Sequence, residues 1–319
     1  MKAVMHYRAG PKLRERLAAL STDDLRTVVV DERDTLAFTR EIADAEVLLH
    51  VLEPVTQKML EQAPRLRLIQ KIGVGLNTID RAATASRGIK VANMPGTNTR
   101  AVAEQTLALM FAVLRRIVPF DAATRAGKGW TLPAETLESS GEIAGRTVGL
   151  IGFGAVARQL APVLRALGAR VIYHARGPIA GVEADYRTLD DLLSEASIVS
   201  LHVPLTGSTR HLINAASIER MKPGTVIVNT ARGELIDEEA LVTALKIGRL
   251  GGAGLDVFGT EPPPAGHSLF SLPNVVLSPH IAWLTPETIE RSLHLAFENC
   301  RRLQSGEPLL NEAVWGKDR

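Results

Sequence analysis

Hydrophobic positions along the chain follow two alternating patterns. Short runs of valine, isoleucine and leucine, typical of strands, are separated by longer segments whose apolar residues recur at helical spacing. Several runs are apolar throughout, which indicates parallel strands buried on both faces. We predict strands at residues 3–6, 27–30, 47–51, 68–72, 147–151, 170–173, 198–202, 225–229, 252–257 and 275–277. This alternation of strands and helices predicts an α/β architecture with right-handed crossovers.

The strands fall into two series, which predict two domains. The first series ends before residue 97, beside the turn sequence "NMPGTN", and a helix is predicted at residues 99–116. Near the other end, Thr285, Pro286 and Glu287 supply the N-cap and first-turn residues of a last helix. We therefore expect one domain from residues 1–97 with 286–319, and a second domain from residues 98–285.

Composition and charge exclude several classes of protein. Of the 319 residues, 45% are hydrophobic and 23% are charged, which is typical of a soluble globular protein. A net charge of +2 is too small to predict nucleic acid or a membrane surface as a partner. No apolar run reaches the roughly 18 residues of a membrane span. The single cysteine, Cys300, excludes a disulfide within the chain and a cysteine-based metal site. We expect a cytoplasmic protein without a metal.

The segment "VGLIGFGAVARQLAPVL" predicts a strand, a glycine turn and a helix in succession. Gly152 permits a tight turn, and Gly154 allows the backbone to approach a pyrophosphate group. Ala157 stands where a third glycine is common. The helix begins near Ala155, where free N–H groups and the helix dipole favour an anion. Because a second strand follows about 20 residues later, the pattern predicts a dinucleotide-binding site.

Three ionisable residues follow three strands of the second series. Arg232 follows "VIVNTA", Glu261 follows "LDVFGT" and His280 follows "VVLSP". Because ligands of open α/β sheets bind at the carboxyl ends of the strands, we expect these side chains to share one crevice. There an arginine binds a substrate carboxylate, a histidine protonates a carbonyl oxygen, and a glutamate stabilises the charged imidazole. Singly, each has a structural explanation; together they predict reduction of a 2-keto acid.

Seven segments make the sequence resemble the D-isomer-specific 2-hydroxyacid dehydrogenase family over nearly its whole length. The segments are "KIGVGLNTID" (71–80), "NMPGTNTRAVAEQTLALM" (93–110), "TVGLIGFGAVA" (147–157), "LHVPLTGSTRHLIN" (201–214), "VIVNTARGELIDEEAL" (226–241), "AGLDVFGTEPPP" (253–264) and "LSPHIAWLT" (277–285). The resemblance implies a Rossmann coenzyme-binding domain inserted into a discontinuous flavodoxin-like substrate domain. It also implies the catalytic roles of Arg232, Glu261 and His280 and a homodimer joined through the coenzyme domains.

The resemblance further implies which residues bind the coenzyme. These are Thr106, Phe153, Gly154, Ala155, Val156, Arg176, Val203, Pro204, Thr209, Thr230, Ala231, Arg232, Asp256 and His280. The segment from Phe153 to Val156 would cradle the pyrophosphate, and Thr209 would lie near the adenosine. Thr106 would approach the nicotinamide side, and Thr230 and Asp256 would flank the nicotinamide.

The same resemblance implies a set of substrate-binding residues. These are Leu52, Val74, Gly75, Arg232, His280 and Trp283. The backbone N–H groups of Val74 and Gly75 would receive the substrate carboxylate, while Leu52 and Trp283 would shape the side-chain pocket. A position for Trp283 against the hinge between the domains is the alternative for that residue.

The loop after the strand at residues 170–173 departs from the NAD-linked members. Many of those members place an acid there that binds both ribose hydroxyls, whereas residues 174–182 contain no acid and supply Ala175 and Arg176. The loop is similar to that of NADP-linked glyoxylate and hydroxypyruvate reductases, and a guanidinium can bind a 2′-phosphate as a fork. We expect NADP(H) to be preferred and NAD(H) to be possible. The alternative is a solvated Arg176 with no part in coenzyme choice.

Other functions stay open on sequence alone. An NAD-linked dehydrogenase of the phosphoglycerate or lactate type would differ in coenzyme and substrate. Formate dehydrogenases of the family pair their histidine with glutamine, whereas Glu261 is a glutamate. A corepressor-like protein that senses NAD(H) can retain the three catalytic residues, so only turnover separates it from an enzyme. The expected partner is a small 2-keto or 2-hydroxy acid whose identity the sequence leaves open.

Overall fold

The computed structural model describes residues 1–313. The last part of the predicted segment 286–319, residues 314–319, lies outside the described residues. The strands are β1 (Lys2–His6), β2 (Arg26–Val30), β3 (Val47–His50), β4 (Leu68–Lys71), β5 (Lys90–Ala92), β6 (Thr147–Ile151), β7 (Arg170–His174), β8 (Asp185–Tyr186), β9 (Ile198–Leu201), β10 (Thr225–Asn229), β11 (Leu250–Leu255) and β12 (Val275–Leu277).

Helices connect the strands in both series. They are α1 (Pro11–Leu20), α2 (Thr35–Ile42), α3 (Gln57–Glu61), α4 (Arg81–Ser86), α5 (Thr99–Leu114), α6 (Ile117–Arg125), α7 (Ala134–Glu138), α8 (Ala155–Ala166), α9 (Leu189–Glu195), α10 (Ala215–Arg220), α11 (Glu238–Lys246) and α12 (Pro286–Ser305). Short 3₁₀ turns lie at Gly129–Thr131, Gly233–Leu235 and Ser268–Ser271. No helix within residues 1–313 is both long and apolar enough to cross a membrane. The cytoplasmic location stays a prediction.

Contacts within the chain divide it into two compact units. The first comprises Met1–Asn98 and Leu284–Arg319, and the second is Thr99–Trp283. We name them the five-stranded unit and the seven-stranded unit after their sheets. The first boundary lies after residue 98 where 97 was expected, and the second unit ends at residue 283 where 285 was expected.

The five-stranded unit has the strand order β2-β1-β3-β4-β5, and its strands are parallel. This is the flavodoxin-like order. In register, His6 pairs with His50 and His50 pairs with Lys71, so three basic residues end three adjacent strands. Helix α12 belongs to this unit: the amide of Asn299 donates to Oε1 of Gln70 in β4 at 2.6 Å. The hydroxyl of Thr285 accepts from the N–H of Thr288, which confirms the expected N-cap of this helix.

The seven-stranded unit has the order β12-β11-β10-β9-β6-β7-β8, again with parallel strands. The six strands from β8 to β11 follow the Rossmann order, and β12 extends the sheet. The chain reverses its direction of winding between β6 and β9, and ligands bind at such a switch point beyond the carboxyl ends of the strands. Buried aliphatic residues cover both faces of the sheet, as the uninterrupted apolar runs predict.

The predicted helix at residues 99–116 is wrong at its end. Helix α5 ends at Leu114, Arg116 adopts a left-handed conformation with φ of 50°, and α6 begins at Ile117. The N–H of Gly141 donates to the carbonyl of Leu114 at 2.8 Å, and Pro119 has no N–H to continue the helix. The chain therefore turns at Arg116.

Several strand limits also differ from expectation. Strand β11 spans Leu250–Leu255, whereas residues 252–257 were predicted. Its glycines are close-approach positions: a Cβ at Gly254 would lie 2.9 Å from Leu109 Cβ, so α5 packs directly on the strand backbone. Strands β3, β4 and β9 end one residue earlier than predicted, and β5 and β8 were missed because runs of three and two residues give no periodic signal.

Candidate active site

Three neighbouring strands carry the predicted catalytic residues. Arg232 follows β10, Glu261 follows β11 and His280 follows β12, and these strands are adjacent in the sheet. Because all three strands are parallel, their carboxyl ends lie at one edge. The structure therefore brings the three side chains to the same region of the seven-stranded unit.

Glu261 and His280 form a direct hydrogen-bonded pair. Nδ1 of His280 lies 2.6 Å from Oε2 of Glu261, while the other carboxylate oxygen accepts from the N–H of Phe258 at 3.0 Å. Burial by itself would raise the pKa of Glu261. The hydrogen bond and charge of His280, with the N–H of Phe258 and the charge of Arg232, outweigh burial and hold that pKa below its usual range. Glu261 is thus held as a carboxylate against the imidazole.

Asp256 holds the backbone of the loop that carries the histidine. Its carboxylate accepts from Ser278 Oγ at 2.5 Å and from the N–H groups of Ile281 and Ala282 at 3.0 and 2.8 Å. The N–H of His280 donates to the carbonyl of Asp256 at 2.8 Å, and His280 has φ of 54°. Burial raises the pKa of Asp256, and these hydrogen bonds oppose the rise. The predicted coenzyme residue is therefore also the anchor of the His280 loop.

Arg232 is positioned by its own backbone neighbours. Asn229 donates to the carbonyl of Arg232 at 2.8 Å, and it accepts from the N–H of Ala231 at 3.0 Å. Gly233 follows, and a Cβ at this position would lie 1.9 Å from the carbonyl carbon of Phe258. Only a glycine lets the Arg232 loop lie against the loop that leads to Glu261. Burial lowers the pKa of Arg232, while the charges of Glu261 and Glu234 raise it.

Two threonines predicted near the nicotinamide meet in the interior of the unit. Thr106 Oγ1 lies 2.9 Å from Thr230 Oγ1 and donates to the carbonyl of Val102 at 2.7 Å. Thr106 is in α5 and Thr230 follows β10, so the contact ties the helix to the carboxyl end of the strand. Ala231, the next residue, is half-buried, and its carbonyl accepts from Nη1 of Arg232 at 2.5 Å.

The glycine turn has the geometry that a dinucleotide site requires. Gly152 has φ of 92°, and a Cβ there would lie 2.6 Å from the carbonyl oxygen of His202. Gly154 is the N-cap of α8, and no atom lies within 4 Å of where its Cβ would be. Ala155 is exposed and Val156 half-buried, whereas Phe153 is buried with its ring centroid 4.3 Å from that of Tyr173. The N-terminus of α8 therefore faces open space with unhindered backbone.

The loop after β7 presents Arg176 without a carboxylate. The loop is closed by the N–H of Ile179, which donates to the hydroxyl of Tyr173 at 2.8 Å. Arg176 is exposed and forms no ion pair with any residue of the described chain. The next acids along the chain are paired elsewhere: Glu183 with Arg165, and Asp185 with Arg170 at 3.3 Å. The side chain of Arg176 is thus available to an anion.

Polar side chains of the loop after β9 form hydrogen bonds within the loop and with the end of the strand. Thr209 Oγ1 donates to the carbonyl of Pro204 at 2.7 Å and accepts from the N–H of Thr206 at 2.8 Å, so its hydroxyl is engaged in the turn. Pro204 is exposed and Val203 half-buried. The imidazole of His202 lies 2.9 Å from Ser200 Oγ, and burial lowers its pKa to about 4. His202 is therefore a neutral structural residue at neutral pH.

The predicted substrate residues are divided between the units. Trp283 is half-buried in the seven-stranded unit. Leu52, Val74 and Gly75 belong to the five-stranded unit, where they follow the adjacent strands β3 and β4 and thus share one edge of that sheet. The amide of Asn93 donates to the carbonyl of Val74 at 2.9 Å and holds this loop.

Sequence reasoning missed the residues that support this site. Asn229, Ser278 and Gly233 hold the loops of Arg232 and His280, and only Gly233, in "ARGEL", carried a visible signal. Within residues 1–313, no group of three or more His, Cys, Asp or Glu side chains is arranged to hold a metal ion. A cavity of about 120 Å³ beside Gly224 and Asn274 lies at the opposite, amino edge of the sheet and is separate from this site.

Comparison with known proteins identifies the family. The sequence matches the family model for the NAD binding domain of D-isomer specific 2-hydroxyacid dehydrogenases over residues 107–282. The chain belongs to the D-isomer specific 2-hydroxyacid dehydrogenase family. A glyoxylate reductase from Aeropyrum pernix is 40% identical over 281 residues, which cover 86% of this chain and 84% of the relative. The protein is therefore an NAD(P)-dependent 2-hydroxyacid dehydrogenase, as predicted.

Solved structures agree with this assignment. A protein from Thermus thermophilus superposes with a TM-score of 0.89 at 36% identity, over 98% of this chain and 100% of that chain. The NADPH-dependent glyoxylate/hydroxypyruvate reductase of Sinorhizobium meliloti, in complex with NADP and malonate, superposes with a TM-score of 0.83 at 30% identity, over 98% of this chain and 96% of that chain. The predicted fold class, a Rossmann domain inserted into a discontinuous flavodoxin-like domain, is confirmed.

Proposed function

We propose that this enzyme reduces a small 2-keto acid of the glyoxylate or hydroxypyruvate type with NADPH, and that the product is the D-2-hydroxy acid. The observation that carries the proposal is the hydrogen-bonded pair of Glu261 and His280, at 2.6 Å, on the same sheet edge as Arg232. The relative from Aeropyrum pernix is named for glyoxylate, and the solved reductase from Sinorhizobium meliloti is named for NADPH, glyoxylate and hydroxypyruvate.

Each of the three side chains has a separate role in the proposed reaction. Arg232 binds the carboxylate of the keto acid as a fork and polarises the carbonyl group. His280, whose Nδ1 faces Glu261, uses Nε2 to donate a proton to the carbonyl oxygen. Glu261 fixes the ring orientation and stabilises the protonated imidazole. When it is bound, the nicotinamide supplies the hydride for the carbonyl carbon.

Several features of the seven-stranded unit support the binding of a dinucleotide. The N-terminus of α8 after Gly154 offers backbone N–H groups and a helix dipole to the pyrophosphate. Open space at Gly154 leaves room for that approach. Phe153, Ala155 and Val156 complete this cradle, Val203, Pro204 and Thr209 line the adenosine side, and Thr106, Thr230, Ala231 and Asp256 line the nicotinamide side.

Arg176 supports the preference for NADPH. Its exposed guanidinium follows β7, and residues 174–182 contain no acid to bind the 2′-hydroxyl of NADH. An unpaired arginine there binds a 2′-phosphate with charge-assisted hydrogen bonds, worth roughly 1.5–3 kcal/mol. NADH remains a usable but weaker coenzyme.

We propose four further residues for substrate binding. Val74 and Gly75 bind the substrate carboxylate through backbone N–H groups, and Leu52 and Trp283 limit the side-chain pocket. Leu52 and Val74 are exposed by 37% and 43%, which suits residues that meet a ligand. These apolar side chains favour a short keto acid.

We also propose a homodimer that forms through the seven-stranded unit. The segment from α6 to α7 exposes four large apolar side chains: Ile117, Val118, Trp130 and Leu137. Trp130 is exposed by 86% of its surface, and monomeric proteins rarely leave such a group of apolar residues in water. Light scattering of the wild type should give twice the mass of the 34.4 kDa chain, and Trp130→Ala should weaken the association.

The experiment for the activity is a panel of 2-keto acids with NADPH, followed by the absorbance of the coenzyme. Glyoxylate and hydroxypyruvate should be reduced faster than longer or aromatic keto acids. Because glycolate is achiral, the glycerate formed from hydroxypyruvate should be tested with a D-specific enzyme and should be the D isomer. Coenzyme binding without turnover of any keto acid would instead indicate a sensor protein.

A further inference from the structure

A lysine is buried at the end of β4, in the five-stranded unit. Lys71 is 5% exposed, and its ammonium donates to the backbone carbonyl of Val51. Lysines are rarely buried to this degree, because desolvation of the charge is costly. The register of the sheet places His50 beside it and His6 one strand further. Lys71 and the two histidines thus end three adjacent strands at the edge that carries the predicted substrate residues of this unit.

The side chain of Lys71 lies beside Gly73, the residue that precedes Val74 and Gly75. Gly73 has φ of 142°, and a Cβ there would lie 3.6 Å from Cε of Lys71. The carbonyl that Lys71 binds belongs to Val51, which precedes Leu52. The side chain thus connects the loop after β3 with the loop after β4, and both loops carry predicted substrate residues.

The loop after β4 is held with its carbonyls bonded inside the protein. The N–H of Met94 donates to the carbonyl of Gly73 at 2.9 Å, and the amide of Asn93 donates to the carbonyl of Val74 at 2.9 Å. In the described part of the chain, no group accepts a hydrogen bond from the N–H of Val74 or of Gly75. These two donors are therefore available to an anion.

The histidine beside Lys71 is neutral. Burial and, next, the charge of Lys71 lower the pKa of His50 to about 3. Nε2 of His50 lies 2.6 Å from the carbonyl oxygen of Glu53, and this hydrogen bond holds the ring in place. The positive charge behind the loop thus belongs to Lys71 and not to the imidazole.

We propose that Lys71 is a positioning residue for the substrate carboxylate. Its buried charge makes the loop of Val74 and Gly75 attractive to an anion, and its bond to Val51 fixes the two loops relative to each other. Lys71 does not contact the reacting atoms and acts through the two backbone N–H groups. The proposal rests on the proposed function, since it requires a carboxylate substrate at this loop.

The test compares an anionic substrate with a neutral one. Lys71→Met removes the charge and keeps the length of the side chain. Its KM for glyoxylate should rise roughly tenfold, the size expected for loss of one nearby charge in partly screened surroundings. The kcat should change less than threefold, and kcat/KM for the neutral methyl glyoxylate should stay within about twofold of wild type. A matched control is Lys90→Met. It removes a half-exposed charge from the first residue of β5, at the amino edge of the same sheet.

Two further variants test the same proposal, and they can replace Lys71→Met if that variant fails to fold. Lys71→Gln should reproduce the rise in KM, and Lys71→Arg should restore KM to within about threefold of wild type, because the charge is kept. Equal losses for glyoxylate and its methyl ester, or an unchanged KM in an active Lys71→Met, would overturn the proposal and leave the proposed function intact. A wild type that reduces no 2-keto acid would overturn both.

Discussion

Nδ1 of His280 lies 2.6 Å from Oε2 of Glu261, and the two residues follow the adjacent strands β12 and β11. The second oxygen of Glu261 accepts from the N–H of Phe258, and the N–H of His280 donates to the carbonyl of Asp256. These hydrogen bonds set the orientation of the imidazole. This orientation leaves Nε2 as the nitrogen that can meet a carbonyl oxygen.

Replacement of His280 tests its role as the proton donor. In His280→Ala, kcat should fall by roughly 10²–10⁴-fold, which is the usual contribution of general acid catalysis. The affinity for NADPH, measured by fluorescence titration, should stay within a few-fold of wild type. A variant that keeps more than about a third of the wild-type kcat would remove His280 from the mechanism.

Replacement of Arg232 by lysine tests the need for a planar fork. Arg232→Lys keeps the charge but loses bidentate binding, so KM for the keto acid should rise and kcat/KM should fall by roughly tenfold or more. Arg210→Lys is the matched control, because Arg210 is exposed and lies 3.8 Å from Glu234. Steady-state kinetics of both variants decide the point: full activity in Arg232→Lys would show that a point charge suffices.

The positions of the three proposed catalytic residues could be predicted because their geometry follows from chain topology. Parallel strands put Arg232, Glu261 and His280 at one edge, and the apolar runs that mark those strands are visible in the sequence. The N-cap of α12 was also predictable, since Thr285 and Pro286 act locally.

The supporting contacts could not be predicted, because they join residues distant in sequence. Asp256 accepts three hydrogen bonds from the segment that begins at Ser278, and nothing in its local sequence distinguishes that role from a contact with the nicotinamide. The break in the helix near Arg116 depends on Gly141, whose N–H donates a hydrogen bond to the carbonyl of Leu114. The burial of Lys71 likewise depends on the neighbouring strand β3.

Gly233 should be intolerant of any side chain. A Cβ there would overlap the backbone of Phe258 at 1.9 Å, so Gly233→Ala must displace the loop of Arg232. The free energy of unfolding should fall by roughly 1–3 kcal/mol or more, as overpacking usually does, and activity should be lost with it. Gly10→Ala is the control, because its φ is −72° and open space surrounds the new methyl group. Equal stability of the two variants in urea titrations would contradict the close approach.

The half-buried His202 should make stability fall in mild acid. The unfolded chain takes up a proton below pH 6.5, whereas the folded protein stays neutral at His202 down to about pH 4. Stability from this group is therefore complete above pH 6.5 and is lost as the pH falls toward 4, by about 2 kcal/mol between pH 7 and pH 5. In His202→Gln this loss should be smaller, while His294→Gln, at an exposed site, should behave as wild type. The same loss in all three proteins would show that His202 is not the cause.

Variants of the loop after β7 test the origin of the coenzyme preference. Arg176→Ala should weaken NADPH by roughly tenfold or more and leave NADH nearly unchanged, because only the 2′-phosphate meets the guanidinium. Ala175→Asp should go further, since a carboxylate repels the phosphate and offers the ribose of NADH a partner. Salt should reduce the wild-type preference, because an exposed ion pair is screened. Equal losses for both coenzymes in Arg176→Ala would place the arginine outside the phosphate site.

The central claim is the reduction of a small 2-keto acid by NADPH, and the most direct measurement is kcat/KM of the wild type for NADPH and for NADH with saturating glyoxylate at low salt. We predict turnover with both coenzymes and a preference for NADPH of at least about tenfold, the effect of one charge-assisted contact. Equal efficiency with NADH and NADPH, or no oxidation of either coenzyme, would contradict it.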